Sequence, residues 1–294
     1  MPRAEANGME IEYETFGESN DAPLLLVMGL GAQMISWDEG FCSRLAARGF
    51  YVIRFDNRDS GLSTKLETAG EPDVLAAFAG SPNPAYALDD LADDAVGLLD
   101  ALGIGAAHIV GASMGGFIAQ LMALNHPDRV LSLTSIMSGP GGRDAVPPKP
   151  EGAVVLTTIP PDTREERIQH GVWFRRVLNG SSDPFDEVAE TKRSERAYDR
   201  SYYPVGTGRQ LVAILAAEGR LKRLSQAKVP TLVIHGADDV LVPVENGRNV
   251  AAAVPGARLL EIDGMGHNLP ERVWPQVLDA IVELARQATP LQPR

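Results

Sequence analysis

A single cysteine, Cys42, stands in 294 residues. It has no second thiol for an internal disulfide or for sharing a metal, so a disulfide scaffold and a cysteine-based metal site are both excluded. Positive charge is the minority, 27 Lys and Arg against 39 Asp and Glu, a net charge of −12. Nucleic acid and anionic membrane both call for basic patches, so neither is an expected partner. No apolar run approaches the roughly 18–20 residues of a membrane span. The opening stretch, MPRAEANGMEIEYETFG, lacks the charged-then-apolar layout of a secretory leader. A cytoplasmic protein without a membrane span is the expectation. Internal repeats are absent too, and the only biased tract is the Pro- and Gly-rich piece at 139–152.

What is there is a 44% hydrophobic composition, enough for a sizeable core. Short apolar runs alternate with stretches of helical periodicity. PLLLVMG (23–29), FYVIRFD (50–56), AHIVGAS (107–113), VLSLTSIMS (130–138), VPTLVIHG (229–236) and ARLLEID (257–263) read as strands. Helices are expected at 36–49, 88–103, 114–126, 244–253 and 271–287. The acidic first turns of 88–103 suit a helix N-terminus. This alternation predicts a parallel sheet covered on both faces. The pattern breaks between about 139 and 228, where TREERIQHGVWFRRVLNG and PFDEVAETKRSERAYDRSYY carry helical character. That span is too long for a structureless loop, so a helical cap inserted into the core is expected. The expected division is 1–138, first part of the core; 139–228, cap; 229–294, second part of the core.

Within HIVGASMGGFIAQ (108–120) one serine sits between strand and helix, flanked by Gly111 and Gly115. G-x-S-x-G at that junction is the nucleophile elbow: a sharp strained turn needs small residues two places either side. It exposes the Ser113 hydroxyl at a helix N-terminus that favours negative charge. A serine hydroxyl needs a base, and in this architecture the order is Ser, then Asp or Glu, then His. Of the five histidines, His108 precedes the serine, His126 ends a helix, His170 lies in the inserted span and His235 ends a strand. His267, in the glycine-rich IDGMGHNLPE after a strand, has the right order and place. Asp238 and Asp239 both follow the strand before it, and adjacent residues point in different directions. The oxyanion of an acyl-transfer intermediate needs N–H donors. The Met114 amide follows the nucleophile directly, and the turn in VMGLGAQ (27–33) offers the Leu30 amide.

LLLVMGLG, IRFDNRDSGLS, VGASMGG, PTLVIHGADDVLVP and IDGMGHNLP together resemble the α/β-hydrolase superfamily, in its capped esterase and lipase-like group. The resemblance spans roughly 8–138 and 209–288, and is closest in flavour to bacterial methylesterases acting on polyketides. It implies an α/β-hydrolase fold: a mostly parallel central sheet, helices on both faces and an inserted helical cap. Gly236, Asp239 and Pro243 match the family's Gly-x-x-Asp followed by Pro, which implies Asp239 as the acid. The oxyanion turn carries Met28-Gly29 where most relatives have His-Gly. Asp59 stands in place of a glycine in the Asp56–Ser63 segment, whose Asp56 and Arg58 read as structural. Relatives cleaving C–C bonds often have Asn before the serine and Trp after the histidine; here these are Ala112 and Asn268. Dehalogenases and epoxide hydrolases place aspartate at the elbow, which Ser113 argues against. The expected activity is carboxylic ester hydrolysis by Ser113, Asp239 and His267, with Leu30 and Met114 as oxyanion donors and no metal or cofactor. Other chemistry on the same three residues, or a receptor retaining them, is the alternative. Met28, Met34, Met137, Trp173 and Phe174 are candidates for binding a moderately hydrophobic small-molecule ester, and a monomer or homodimer is expected.

Overall fold

The computed structural model describes residues 2–158, 161–182 and 184–288. It begins with a hairpin, Arg3–Ala6 (β1) and Met9–Phe16 (β2). Its turn, Asn7-Gly8, has both residues at positive φ, 51° and 74°. That pair matches the strand twist in a two-residue hairpin turn. The apolar runs alone mark nothing before residue 23; the Asn-Gly dipeptide is the signal for this hairpin.

Then come Ala22–Val27 (β3), Glu39–Ala46 (α1), Phe50–Phe55 (β4), Val74–Phe78 (α2), Leu88–Ala101 (α3), Ala107–Ala112 (β5), Met114–Asn125 (α4) and Val130–Ile136 (β6). The helices Pro150–Thr157 (α5), Arg164–Val177 (α6), Glu187–Arg200 (α7), Pro204–Ala216 (α8) and Leu221–Leu224 (α9) separate β6 from Thr231–Gly236 (β7). Val244–Ala253 (α10), Arg258–Ile262 (β8) and Trp274–Ala288 (α11) complete the described chain. The expected last segment ran to 294; 289–294 lie outside the described residues, as do 159, 160 and 183 in the inserted span.

All eight strands form one sheet in the order β1-β2-β4-β3-β5-β6-β7-β8. β2 pairs antiparallel with β1 and β4, and every other neighbouring pair is parallel. The parallel strands β3 to β7 are largely apolar on both sides because both faces are covered, whereas β8 at the sheet edge leaves Arg258 and Leu259 exposed. Leu25, Val27, Ile109 and Leu133 pack toward α3 and α4. Leu24, Leu26, Val110, Ile136 and Ile234 pack toward α1 and α11. α4 is apolar almost all round because it is buried almost all round. At α3 the acidic first turn has a specific use: the Asp90 carboxylate accepts the Ala87 N–H at 2.8 Å.

The strand order turns back at β3, with β4 on one side and β5 on the other. Ligands of such sheets sit at the carboxyl ends of the strands beside that switch point. In the inserted span α6 packs on α5 and α7, whereas α8 packs on α2 and α3, and α9 on α4 and α10. Among the described residues no helix is long and apolar enough to cross a membrane.

Candidate active site

Ser113 follows β5 directly and precedes α4, with φ 56° and ψ −121°. An L-residue adopts that backbone only when its surroundings impose it. The surroundings are visible. A Cβ at position 111 would lie 2.0 Å from the Gly115 carbonyl oxygen, and one at 115 would lie 2.1 Å from that of Val27. Both flanking glycines are therefore set by close backbone approach. Ser113 N–H donates to the Ile136 carbonyl at 2.9 Å, and its own carbonyl accepts from Gly116 N–H and Ser138 Oγ, both at 2.8 Å.

The structure brings Ser113, Asp239 and His267 together. His267 Nε2 lies 3.0 Å from Ser113 Oγ, and Nδ1 lies 2.7 Å from Asp239 Oδ2. Asp239 comes from the turn after β7 and is fully buried. Its Oδ1 accepts the amides of Leu241 and Val242 at 2.9 and 2.8 Å, which turns Oδ2 to the imidazole. Burial alone raises this carboxyl, but the adjoining His267 and His235 rings outweigh it and hold it well below the usual carboxylate range. His235 anchors that turn, with Nε2 2.7 Å from the Val242 carbonyl and 3.5 Å from Asp239 Oδ2. Asp238 points elsewhere: its Oδ2 accepts the Ser181 amide at 3.0 Å.

The turn after β3 lies against the serine. A Cβ at Gly29 would be 3.0 Å from Ser113 Cβ, and the register pairs Val27 with Gly111. The Leu30 and Met114 amides have no acceptor among the described residues, whereas the Gly31 amide donates to Gln210 Oε1 at 2.8 Å. Gln210, fully buried on α8, also donates to the Arg58 carbonyl at 2.8 Å. Gln33 reaches α7, donating to the Ala197 carbonyl at 2.6 Å and the Ser201 carbonyl at 2.8 Å. Asn57 Nδ2 holds the Met28 carbonyl at 3.0 Å. Sequence reasoning does not find Gln210 or Gln33. A glutamine at the head of the apolar LVAILAA is the only hint for the first, and its partner lies 179 residues away.

The Asp56–Ser63 segment is tied in the same way. Asp56, fully buried, accepts the amides of Met34 and Leu62 at 2.7 and 2.8 Å and pairs with Arg200 at 2.8 Å. Both oxygens of Asp94 accept from Arg58 at 2.6 Å. Asp59, at φ 65°, pairs with Arg209 of α8 at 3.0 Å and accepts the Tyr86 hydroxyl at 2.9 Å.

Of the apolar candidates, Met28 is half-buried in the turn after β3, while Met34 and Met137 are buried. Trp173 and Phe174 are half-buried on α6, and the Trp173 ring lies 5.2 Å from that of His170. The tyrosines of the inserted span contact one another and its arginines: Tyr198 lies 4.9 Å from Tyr202, which lies 4.3 Å from the Arg167 guanidinium.

The family model described as the alpha/beta hydrolase fold matches residues 22–271. The chain is 34% identical to rhodomycin D methylesterase DauP of Streptomyces sp. (strain C5), over 94% of this chain and 95% of that protein. It is 29% identical to a 2-hydroxy-6-oxononadienedioate/2-hydroxy-6-oxononatrienedioate hydrolase of Burkholderia vietnamiensis, over 88% of this chain and 85% of that one. Among solved structures, the enol-lactonase from Burkholderia xenovorans LB400 superposes with a TM-score of 0.74 at 25% identity, covering 96% and 99% of the two chains.

Proposed function

The chain belongs to the α/β hydrolase fold family, and from that premise we propose that it hydrolyses carboxylic esters through an acyl-enzyme, with Ser113, His267 and Asp239 as its catalytic residues. The observation that carries this is the continuous relay of 3.0 Å from Ser113 Oγ to His267 Nε2 and 2.7 Å from Nδ1 to Asp239. Asp239 holds the tautomer that keeps the proton on Nδ1 and leaves Nε2 as acceptor. Nε2 takes the Ser113 proton as Oγ attacks the ester carbonyl carbon. The oxyanion is received by the Leu30 and Met114 amides, whose lack of an internal acceptor supports this role. The C–O bond to the alcohol breaks, and His267 gives the proton to the leaving oxygen. Water then attacks the acyl-enzyme by the same steps in reverse order, releasing the acid and free Ser113. The route needs neither metal nor redox cofactor, because attack and proton transfer come from these side chains.

The relative named a methylesterase, which spans nearly the same length, favours a methyl ester of a moderately hydrophobic acid. Met28, Met34, Met137, Trp173 and Phe174 are its proposed apolar contacts, beneath a cap formed by 139–228. A cytoplasmic monomer or homodimer goes with this reading. The relative acting on an oxononadienedioate favours a second reading, C–C bond or lactone hydrolysis by the same serine. The test compares wild type with Ser113→Ala on p-nitrophenyl esters of C2 to C12, on hydrophobic methyl esters, on lactones and on a ring-fission dienoate with a scissile C–C bond. Ester turnover lost in the variant supports the first reading. Turnover of lactones or ring-fission products alone supports the second. A folded wild type that turns over none of them but binds one tightly makes the protein a receptor.

A further inference from the structure

We propose that residues 178–182, in the inserted span between α6 and α7, are a positioning strap for His267, and that Asp238 is the anchor of that strap. This deepens the ester-hydrolase reading and rests on its choice of His267 as the base.

The strap runs antiparallel to the loop that carries the histidine. His267 N–H donates to the Leu178 carbonyl at 2.9 Å, and Ser182 N–H donates to the Gly264 carbonyl at 3.2 Å. Asn268 Nδ2 donates to Asn179 Oδ1 at 2.9 Å. The two backbones touch: a Cβ at Gly180 would lie 2.0 Å from the Gly264 carbonyl oxygen, and one at Gly266 would lie 2.3 Å from that of Leu178. Asp238 joins this pairing to the acid. Its side chain accepts the Ser181 amide at 3.0 Å, its own amide donates to the Met265 carbonyl at 3.0 Å, and Asp239 is the next residue. The base loop is thus held from two sides, by the turn carrying the acid and by the strap. Both glycines of IDGMGHN are set by the strap: a Cβ at Gly264 would meet the Ser182 side chain, and one at Gly266 the Leu178 carbonyl. A serine–imidazole distance of 3.0 Å tolerates little displacement, since a shift of about 1 Å costs on the order of 100-fold in rate.

The experiment reads the relay directly. Asp238→Ala removes the acceptor of the Ser181 amide, Asp238→Asn keeps an acceptor oxygen there, and Gly180→Ala drives a methyl group into the Gly264 carbonyl. Each is measured for three things: thermal midpoint, the rate at which a fluorophosphonate labels Ser113 with loss of fluoride, and the downfield proton resonance of the imidazole N–H facing Asp239. Asp238→Ala is expected to slow labelling roughly 10- to 100-fold and to weaken the resonance, with little change in midpoint because Ser181 and Ser182 are exposed. Asp238→Asn recovers most of the rate, and Gly180→Ala loses at least as much as Asp238→Ala. Wild-type labelling and resonance in Asp238→Ala, or equal loss in Asp238→Ala and Asp238→Asn, overturns the anchor, whatever becomes of Gly180→Ala. Ester turnover by the wild type is a separate reading. A wild type that cleaves no ester but loses the imidazole resonance in Asp238→Ala refutes the function and leaves the strap standing.

Discussion

Two adjacent aspartates in one turn take different partners. Asp239 faces the imidazole and Asp238 faces an amide of the inserted span. Ser113→Ala and His267→Ala are each expected to lower kcat by about 10³–10⁶-fold with the fold intact, since members of such a set act as a unit. Asp239→Asn should cost about 10⁴-fold by forcing the wrong tautomer, far more than Asp238→Asn; steady-state kinetics on one ester ranks the two, and the reverse order would remove Asp239 from the mechanism. Asp59 poses a contest of magnitudes. Returning it to glycine relieves a left-handed φ of 65°, a gain of about 1–2 kcal/mol. It also strips the fully buried carboxylate from Arg209, itself 2% exposed, a loss of about 3–5 kcal/mol. The loss wins, so Asp59→Gly should lower the thermal midpoint by several degrees; an unchanged or raised midpoint would show that the Gly70 carbonyl and the Tyr203 hydroxyl, which Arg209 also reaches at 2.8 and 3.3 Å, suffice without the carboxylate.

Helix α8 reaches the turn after β3. Its Gln210 takes the Gly31 amide, while the neighbouring Leu30 amide, a proposed oxyanion donor, has no acceptor among the described residues. Gln210→Ala leaves the Gly31 N–H and the Arg58 carbonyl without these partners and lets the turn relax. The expected result is a fall in kcat of roughly 10–100-fold with KM nearly constant, because the turn binds charge that exists only in the transition state. A trifluoromethyl ketone should lose affinity in parallel. Weaker substrate binding with unchanged kcat would assign Gln210 to the substrate pocket instead. The same helix carries Arg209, so α8 braces both the turn after β3 and the Asp56–Ser63 segment.

For the molecule as a whole, buried titratable groups give folding stability its pH dependence. His108, 1% exposed in β5, bonds Ser132 Oγ through Nδ1 at 2.8 Å, and burial pushes its pKa down to about 4. An unfolded histidine titrates near 6.5. Below about pH 6.5 the unfolded chain takes up a proton that the folded chain refuses, so stability falls from about pH 6.5 to 4 by up to about 3 kcal/mol for this group. Asp239 acts in a lower window: its depressed pKa contributes stability above about pH 4 that is lost as the pH falls through its folded value. Denaturant midpoints for wild type and His108→Gln at pH 7 and pH 5 separate the two. The wild type should lose more stability on acidification, and parallel losses would mean that His108 binds its proton equally well in the folded and unfolded chain.

Much of this was legible in the amino-acid order, because the strands β3 to β7 are buried on both faces and so read as apolar runs whatever their neighbours. The elbow was legible for a similar reason: Gly111 and Gly115 are dictated by contacts within a few residues of Ser113 and along one adjoining strand. Chain order narrowed the candidate base to His267 among five histidines, and that is the ring lying against Ser113. The orientation of Asp239 was not legible from the residues themselves, because side-chain direction in a turn depends on which amides it captures. Nor could the sequence reveal that Gln210 meets Gly31, or that Leu178 meets His267. Those contacts join segments 179 and 89 positions apart, and a hydrogen bond across such a separation leaves no periodicity and no spacing. Local sterics and burial wrote the sheet and the serine turn into the sequence; the long-range packing that fixes Asp239, the turn after β3 and the His267 imidazole was decided only when the chain closed on itself.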